Sequence, residues 1–269
     1  MGLSIAFVIA ILIEVALPVF LLIFVVKNAR IGWMIIVIGV MIYMIAQTIQ
    51  IPILAWVSGL LDNDAFDTKA VWMPIFEGVI LGLVVGIIVE GVRWGAFKYV
   101  RQIKSTIPDA IGSGLGYGAS ETIIMVGIPM VISFVNMLLY KNADASDPSL
   151  QEGLAAQVQA FWMLPWYTPL IGAFERITSM IANVALSMMV LQVFTKGKIK
   201  YLFFAMIWHI MLEAIPVIMI GYGVQAWMTN ILFLIFCGVN IYMMIRMGVF
   251  HYQKIDNHVD VEQGGLADV

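Results

Sequence analysis

GLVVGIIVEGVRWGAFK, residues 82–98, is an apolar run with Glu90 and Arg93 set inside it. Three residues is close to one helical turn, so the two side chains project from one face of a helix. A carboxylate and a guanidinium within a membrane-length helix are costly to insert. Such groups pair, face the protein interior and mark functional sites. Three later apolar segments carry comparable groups: Glu121, then Glu175 with Arg176 and Asn183, then His209 with Glu213. The pattern predicts helices gathered around one polar chamber within the bilayer.

The rest of the chain supports a membrane setting. Hydrophobic residues make up 62% of it and charged residues 12%, with a mean hydropathy of +0.98. A soluble domain has about 45–50% apolar and about 25% charged residues. The fold class expected is therefore all-α and polytopic. A span needs about 20 apolar residues, and seven segments qualify, near 3–26, 32–57, 72–98, 109–140, 166–194, 201–222 and 227–247. With no repeat or linker, residues 1–250 read as one transmembrane domain, and the polar stretch 251–269 as a disordered tail. The first segment lacks a basic leader region and reads as a retained helix. Residues 149–163 read as a short amphipathic helix on the outer surface, followed by Trp162 and Trp166 at the interface. The net charge of −3 gives no reason to expect nucleic acid, and one cysteine, Cys237, cannot form an intrachain disulfide.

Of 17 acidic residues, six fall within the expected spans: Glu14, Glu77, Glu90, Glu121, Glu175 and Glu213. Glu14 has no partner in its own helix and Glu77 lies near a span end, so packing and interfacial roles suffice for both. Glu90 and Arg93 form a structural ion pair or a site, although Arg93 could also snorkel. Glu175 and Arg176 are adjacent and point about 100° apart, so each needs a partner on another helix; Glu121 and Glu90 are the candidates for Arg176. His209 and Glu213, at i and i+4, share a face and can orient an imidazole for proton transfer or oxyanion stabilisation. They could also supply two metal ligands. Gly112, Gly114, Gly116 and Gly118 alternate, which is not a GxxxG dimer stripe. They predict either close helix packing or a broken helix lining a cavity.

Together these positions resemble the YhfC-type membrane peptidases, relatives of the CAAX-protease/bacteriocin-processing superfamily and of PrsW. The resemblance spans nearly the whole chain and rests on four short patterns. A glutamate pair followed by a basic residue is met by Val89-Glu90-Gly91-Val92-Arg93, with only the second glutamate present. A glycine-rich stretch with a histidine and a glutamate is met by Gly116-Tyr117-Gly118-Ala119-Ser120-Glu121, with tyrosine in place of histidine. Glu-Arg followed by a histidine two turns later is met by Glu175-Arg176 and Asn183. The last, a histidine with an acid or amide four residues on, is met by His209 and Glu213.

The resemblance implies a glutamate-dependent intramembrane peptidase, which cleaves a membrane-associated peptide bond or has lost the ability to do so. In such a site Glu90 or Glu121 is the base, His209 and Asn183 stabilise the oxyanion, and Arg93 and Arg176 hold the carboxylates. Glu175, Glu213 and Tyr117 support them. A carboxylate in an apolar cavity can act as a base near neutral pH. No cofactor is expected, since one histidine among the carboxylates Glu213 and Glu121 makes a poor zinc set. Val89, Tyr117 and Asn183 predict weak or absent activity. The partners expected are the bilayer and a membrane protein or peptide substrate, in the cytoplasmic membrane of a prokaryote. A non-catalytic binding, immunity or export protein is the first alternative. A proton-relay transporter is the second, although the internal repeat of many transporters is absent.

Loop charges predict the orientation. Ten basic residues, including Lys98, Arg101, Lys196 and Arg246, fall on one side and only Lys69 and Lys141 on the other. The positive-inside rule puts the N-terminus outside and the C-terminus in the cytoplasm. Single cysteines at Ser146 and Asp256 are expected to label from opposite sides of intact cells, Ser146 from outside. Labelling of both from outside would contradict the arrangement.

Overall fold

The computed structural model describes residues 2–29, 31–62, 70–141 and 153–249. Seven helices among them are long and apolar enough to cross a membrane. They are α1 (Gly2–Asn28), α2 (Trp33–Asp62), α3 (Met73–Tyr99), α4 (Ile107–Leu139), α6 (Thr168–Lys196), α7 (Lys200–Gly221) and α8 (Ala226–Arg246). Between them, α5 (Leu154–Trp162) is the expected short amphipathic helix. Its Phe161 stacks on Phe7 of α1 at 4.7 Å, and the Trp162 indole donates to the Met137 carbonyl at 3.2 Å. Positions 149–152 and the tail 251–269 lie outside the described residues.

α6 is the central helix. It is far more buried than any other span, with its face from Asn183 to Val193 enclosed by neighbours. The other six largely present leucine, isoleucine, phenylalanine and valine outward, as a bilayer requires.

Two sets of glycines fix how the helices meet. On α3, Gly78, Gly82 and Gly86 form a stripe at every fourth position. A Cβ on Gly82 would lie 2.8 Å from the Ile210 carbonyl oxygen, and one on Gly86 would lie 3.1 Å from that of Met206. Only hydrogen fits there, and α7 packs against this stripe along its length. Glu90 is the next residue of the same series, so the packing that admits the glycines carries the carboxylate onto α7.

On α4 the alternating glycines form two interleaved stripes. This corrects the reading that they are not of GxxxG type. A Cβ on Gly116 would fall 2.3 Å from the Ile36 carbonyl oxygen of α2, and one on Gly114 would fall 2.8 Å from the Asn183 carbonyl oxygen of α6. Gly112 and Gly116 therefore serve α2, while Gly114 and Gly118 serve α6. Two residues subtend about 200° on a helix, so alternate glycines open opposite faces of α4. The helix starts at a capping box, in which Asp109 accepts from the Thr106 amide at 3.0 Å. It runs unbroken through the glycines and widens into a π-helical turn only at Thr122–Gly127. A second π-turn, Leu12–Ala16, interrupts α1 and packs against the first.

Candidate functional site

The polar groups of α3, α4, α6 and α7 form one connected chain. At its centre Glu90 and Arg93 are completely buried. Arg93 Nη1 donates to Glu90 Oε1 at 2.5 Å, and the same oxygen shares a hydrogen bond with His209 Nδ1 at 2.7 Å. Arg93 thus faces the interior and does not snorkel. Its Nη2 donates to Asn183 Oδ1 at 2.9 Å, and its guanidinium lies over the Tyr117 ring, 5.1 Å from the centroid. Tyr117 is held edge-on by Tyr43 at 5.5 Å.

Asn183 extends the chain. Its amide nitrogen donates to Glu121 Oε2 at 3.0 Å and to the Ser179 carbonyl at 3.1 Å. Ser179 Oγ donates to the same Glu121 oxygen at 3.0 Å. Both amide hydrogens and the carbonyl of Asn183 are therefore committed. At the other end His209 Nε2 stands 3.9 Å from Glu213 Oε1, too far for a direct hydrogen bond. Glu213 is on the same face one turn on, with 38% of its side chain exposed.

One wall of this chain borders a cavity of about 190 Å³ among α4, α6, α7 and α8. Glu121, Glu175, Arg176, Asn183, His209 and Glu213 reach it. Glu90, Arg93 and Tyr117 do not. The cavity thus gathers part of the expected set, and the Glu90–Arg93 pair lies behind its wall.

Arg176 departs from expectation. It pairs with neither Glu121 nor Glu90, because Asn183 and Ser179 hold the first, and Arg93 and His209 hold the second. It forms no hydrogen bond or salt bridge among the described residues, and its charge acts on Glu14, Glu175 and Glu213. Glu14 also differs from its simple reading. It is fully buried in the π-turn of α1, and neither oxygen has a partner among the described residues. Oε1 lies 3.9 Å from where a Cβ on Gly172 would sit, one turn from Arg176. The stripe Gly78-Gly82-Gly86, continued to Glu90, is a signal that another helix comes close to this face of α3, although it does not say which.

Seven apolar helices enclosing carboxylates and a single imidazole define a polytopic membrane protein with an intramembrane acid–imidazole site. The family described as YhfC intramembrane metalloprotease matches residues 13–233, and the chain belongs to it. It is also 21% identical over 188 residues to an uncharacterized membrane protein, YhfC, of Bacillus subtilis (strain 168). That alignment covers 66% of this chain and 71% of the relative. No solved structure matches. The chain is thus an integral membrane protein of a prokaryotic family.

A metal is implied by the family's description, so the donor set decides whether one fits here. Among the described residues no three His, Cys, Asp or Glu side chains come together as a metal cluster. Glu90 Oε2 is buried and unpartnered, a vacant ligand atom in principle. Its neighbour, however, is the Arg93 guanidinium, a resident cation that would repel a metal ion. His209 keeps Nε2 free with Nδ1 on a carboxylate, as a metal-ligating imidazole does, but Glu213 Oε1 stands 3.9 Å from it and Glu121 Oε2 is held by Ser179 and Asn183. Catalytic zinc sites use three protein ligands with several nitrogens or sulfurs. Among the described residues this donor set does not fit a metal ion.

Removing Arg93 should expose how strongly the centre depends on it. Arg93→Leu leaves the Glu90 carboxylate sealed without its cation and is expected to destabilise the protein by about 3–5 kcal/mol. Adding Glu90→Leu should restore much of the loss in thermal unfolding of the detergent-solubilised protein. A purely additive double variant would mean that the pair is not coupled.

Proposed function

We propose that this chain is a peptide-bond hydrolase of the membrane interior in which His209 handles the proton and Arg176 receives the developing charge. The observation that carries this reading is the Glu90–His209 hydrogen bond, 2.7 Å long, at the wall of a polar cavity. An ionised carboxylate only accepts hydrogen bonds, so Glu90 places a proton on Nδ1. The other nitrogen, Nε2, is then left with its lone pair, on the side of Glu213.

From that position Nε2 takes a proton from a water in the cavity as the water oxygen attacks the peptide carbonyl carbon. The same nitrogen returns the proton to the leaving amine as the C–N bond breaks. Glu213 stabilises the transient imidazolium from the same helix face. Asn183 has no free amide hydrogen for the oxyanion, whereas Arg176 lines the cavity with its donors unused among the described residues. Glu90 and Arg93 are positioning residues here, since neither reaches the cavity. Glutamate dependence therefore enters through the orientation of the imidazole by Glu90 and through Glu213.

A second reading, a peptide-binding protein without catalysis, draws support from Tyr117 and Asn183. These stand where the resemblance expects histidines, and both are engaged in holding Arg93.

Purified protein offered a library of membrane-spanning peptides is expected to cleave some of them. His209→Ala should slow this about 10²–10⁴-fold, the usual range for a positioned acid–base group. Arg176→Gln should slow it about 10²–10³-fold, as for a lost oxyanion donor. Unchanged cleavage by His209→Ala would sink the assignment, and retained peptide binding with no cleavage by any form would establish the second reading.

A further inference from the structure

A second cavity, of about 520 Å³, lies outside the polar chamber and opens between α7 and α8 over α6. These two helices both pack on α6 and touch each other less, which leaves a groove along their seam. Phe204, Ile207 and Tyr242 on its rim are exposed at the face that the bilayer covers.

The lining changes character along the groove in the same sense on all three helices. On α6 it runs from Lys196 through Gln192 to Met189. On α7 it runs from Tyr201 through Phe204 to Trp208, and on α8 from Arg246 to Tyr242 and Met243. The C-termini of α6 and α8 and the N-terminus of α7 lie together, so cations and hydroxyls cluster at one membrane surface and apolar groups lie deeper. Trp208 closes the deep end, where its indole donates to Asn240 at 2.8 Å. Lys196 lies over the Tyr201 ring at 5.0 Å. Neither Lys196 nor Arg246 has a carboxylate partner among the described residues, and both are exposed.

We propose that this groove binds one anionic phospholipid, with its phosphate at Lys196 and Arg246 and an acyl chain toward Trp208. Shape favours a lipid over a transmembrane helix. From Lys196 to Met189 the lining spans about two helical turns, whereas 520 Å³ holds roughly one turn of a helix 10–12 Å wide. An acyl chain is slimmer, and methionine lining adapts to it. Charge complementarity selects the headgroup, since basic pockets between helices at a membrane surface hold anionic lipids.

The full chain, purified in detergent and titrated with phosphatidylglycerol or phosphatidylcholine under native mass spectrometry, tests this. One phosphatidylglycerol should be retained in clear preference. Lys196→Gln with Arg246→Gln should weaken its binding about thirty-fold, about five-fold per cation. Lys98→Gln with Arg101→Gln, at the same membrane surface but outside the groove, should leave it unchanged. Equal retention of both lipids, or a preference that survives the Lys196/Arg246 change, would overturn the proposal. So would displacement of the lipid by millimolar inorganic phosphate, which would mark a free-anion site. If the double variant does not fold, salt gives the answer on the native chain. Phosphatidylglycerol binding should fall as salt rises while phosphatidylcholine binding holds, and a headgroup preference indifferent to salt would refute the claim.

Discussion

Glu90 is a carboxylate with no exposure at all, and the centre of the protein is arranged to make that tolerable. An unpaired charge in such a place costs several kcal/mol even after the surroundings relax. Arg93 answers it from one turn away on the same helix, and His209 answers it from another. The second contact exists only because Gly78, Gly82 and Gly86 let α3 approach the backbone of α7. Arg93 in turn is a buried cation and needs its own acceptors, which Asn183 and the face of Tyr117 supply. Asn183 then fixes Glu121. Each satisfied group creates the requirement that the next one meets, and the chain ends at the cavity, where Glu213 and Arg176 have no hydrogen-bond partner among the described residues.

This accounts for two of the three positions, Val89, Tyr117 and Asn183, at which the chain departs from the family pattern as the sequence presents it. Tyr117 and Asn183 are neither vacant nor idle, because both are spent on the guanidinium. A histidine at either position would offer a nitrogen ligand, and two together with His209 would offer the beginnings of a metal set. With Arg93 held between them, the place of positive charge is already filled by a side chain. In the proposed function, the chemistry of the site runs through one imidazole and its carboxylates.

Most of the fold was legible because hydropathy is local. Each of the seven spans declares itself within its own 20 or so residues, and the structure moves their ends by only a few positions. The Glu90–Arg93 pair was legible for the same reason, since i and i+3 meet on any helix. Partners across helices were not. Two arginines and six acids within the spans allow several pairings, and register alone decides that Arg93 takes Glu90 and Asn183 while Arg176 faces the cavity. The glycines of α3 held that register in plain view, but a stripe of small residues says that another helix comes close without saying which. The π-turns around Glu14 and after Glu121 leave no periodic trace, so the sealing of Glu14 was invisible.

In the proposed function, Glu90 orients His209 so that Nε2 is free to handle a proton. Nitrogen-15 NMR of imidazole-labelled protein reads this directly, because the chain has only three histidines and His251→Gln with His258→Gln leaves His209 alone. A proton on Nδ1, a bare Nε2 and loss of that tautomer preference in Glu90→Leu are expected. A proton resting on Nε2 with Nδ1 bare, or a tautomer indifferent to Glu90, would contradict it.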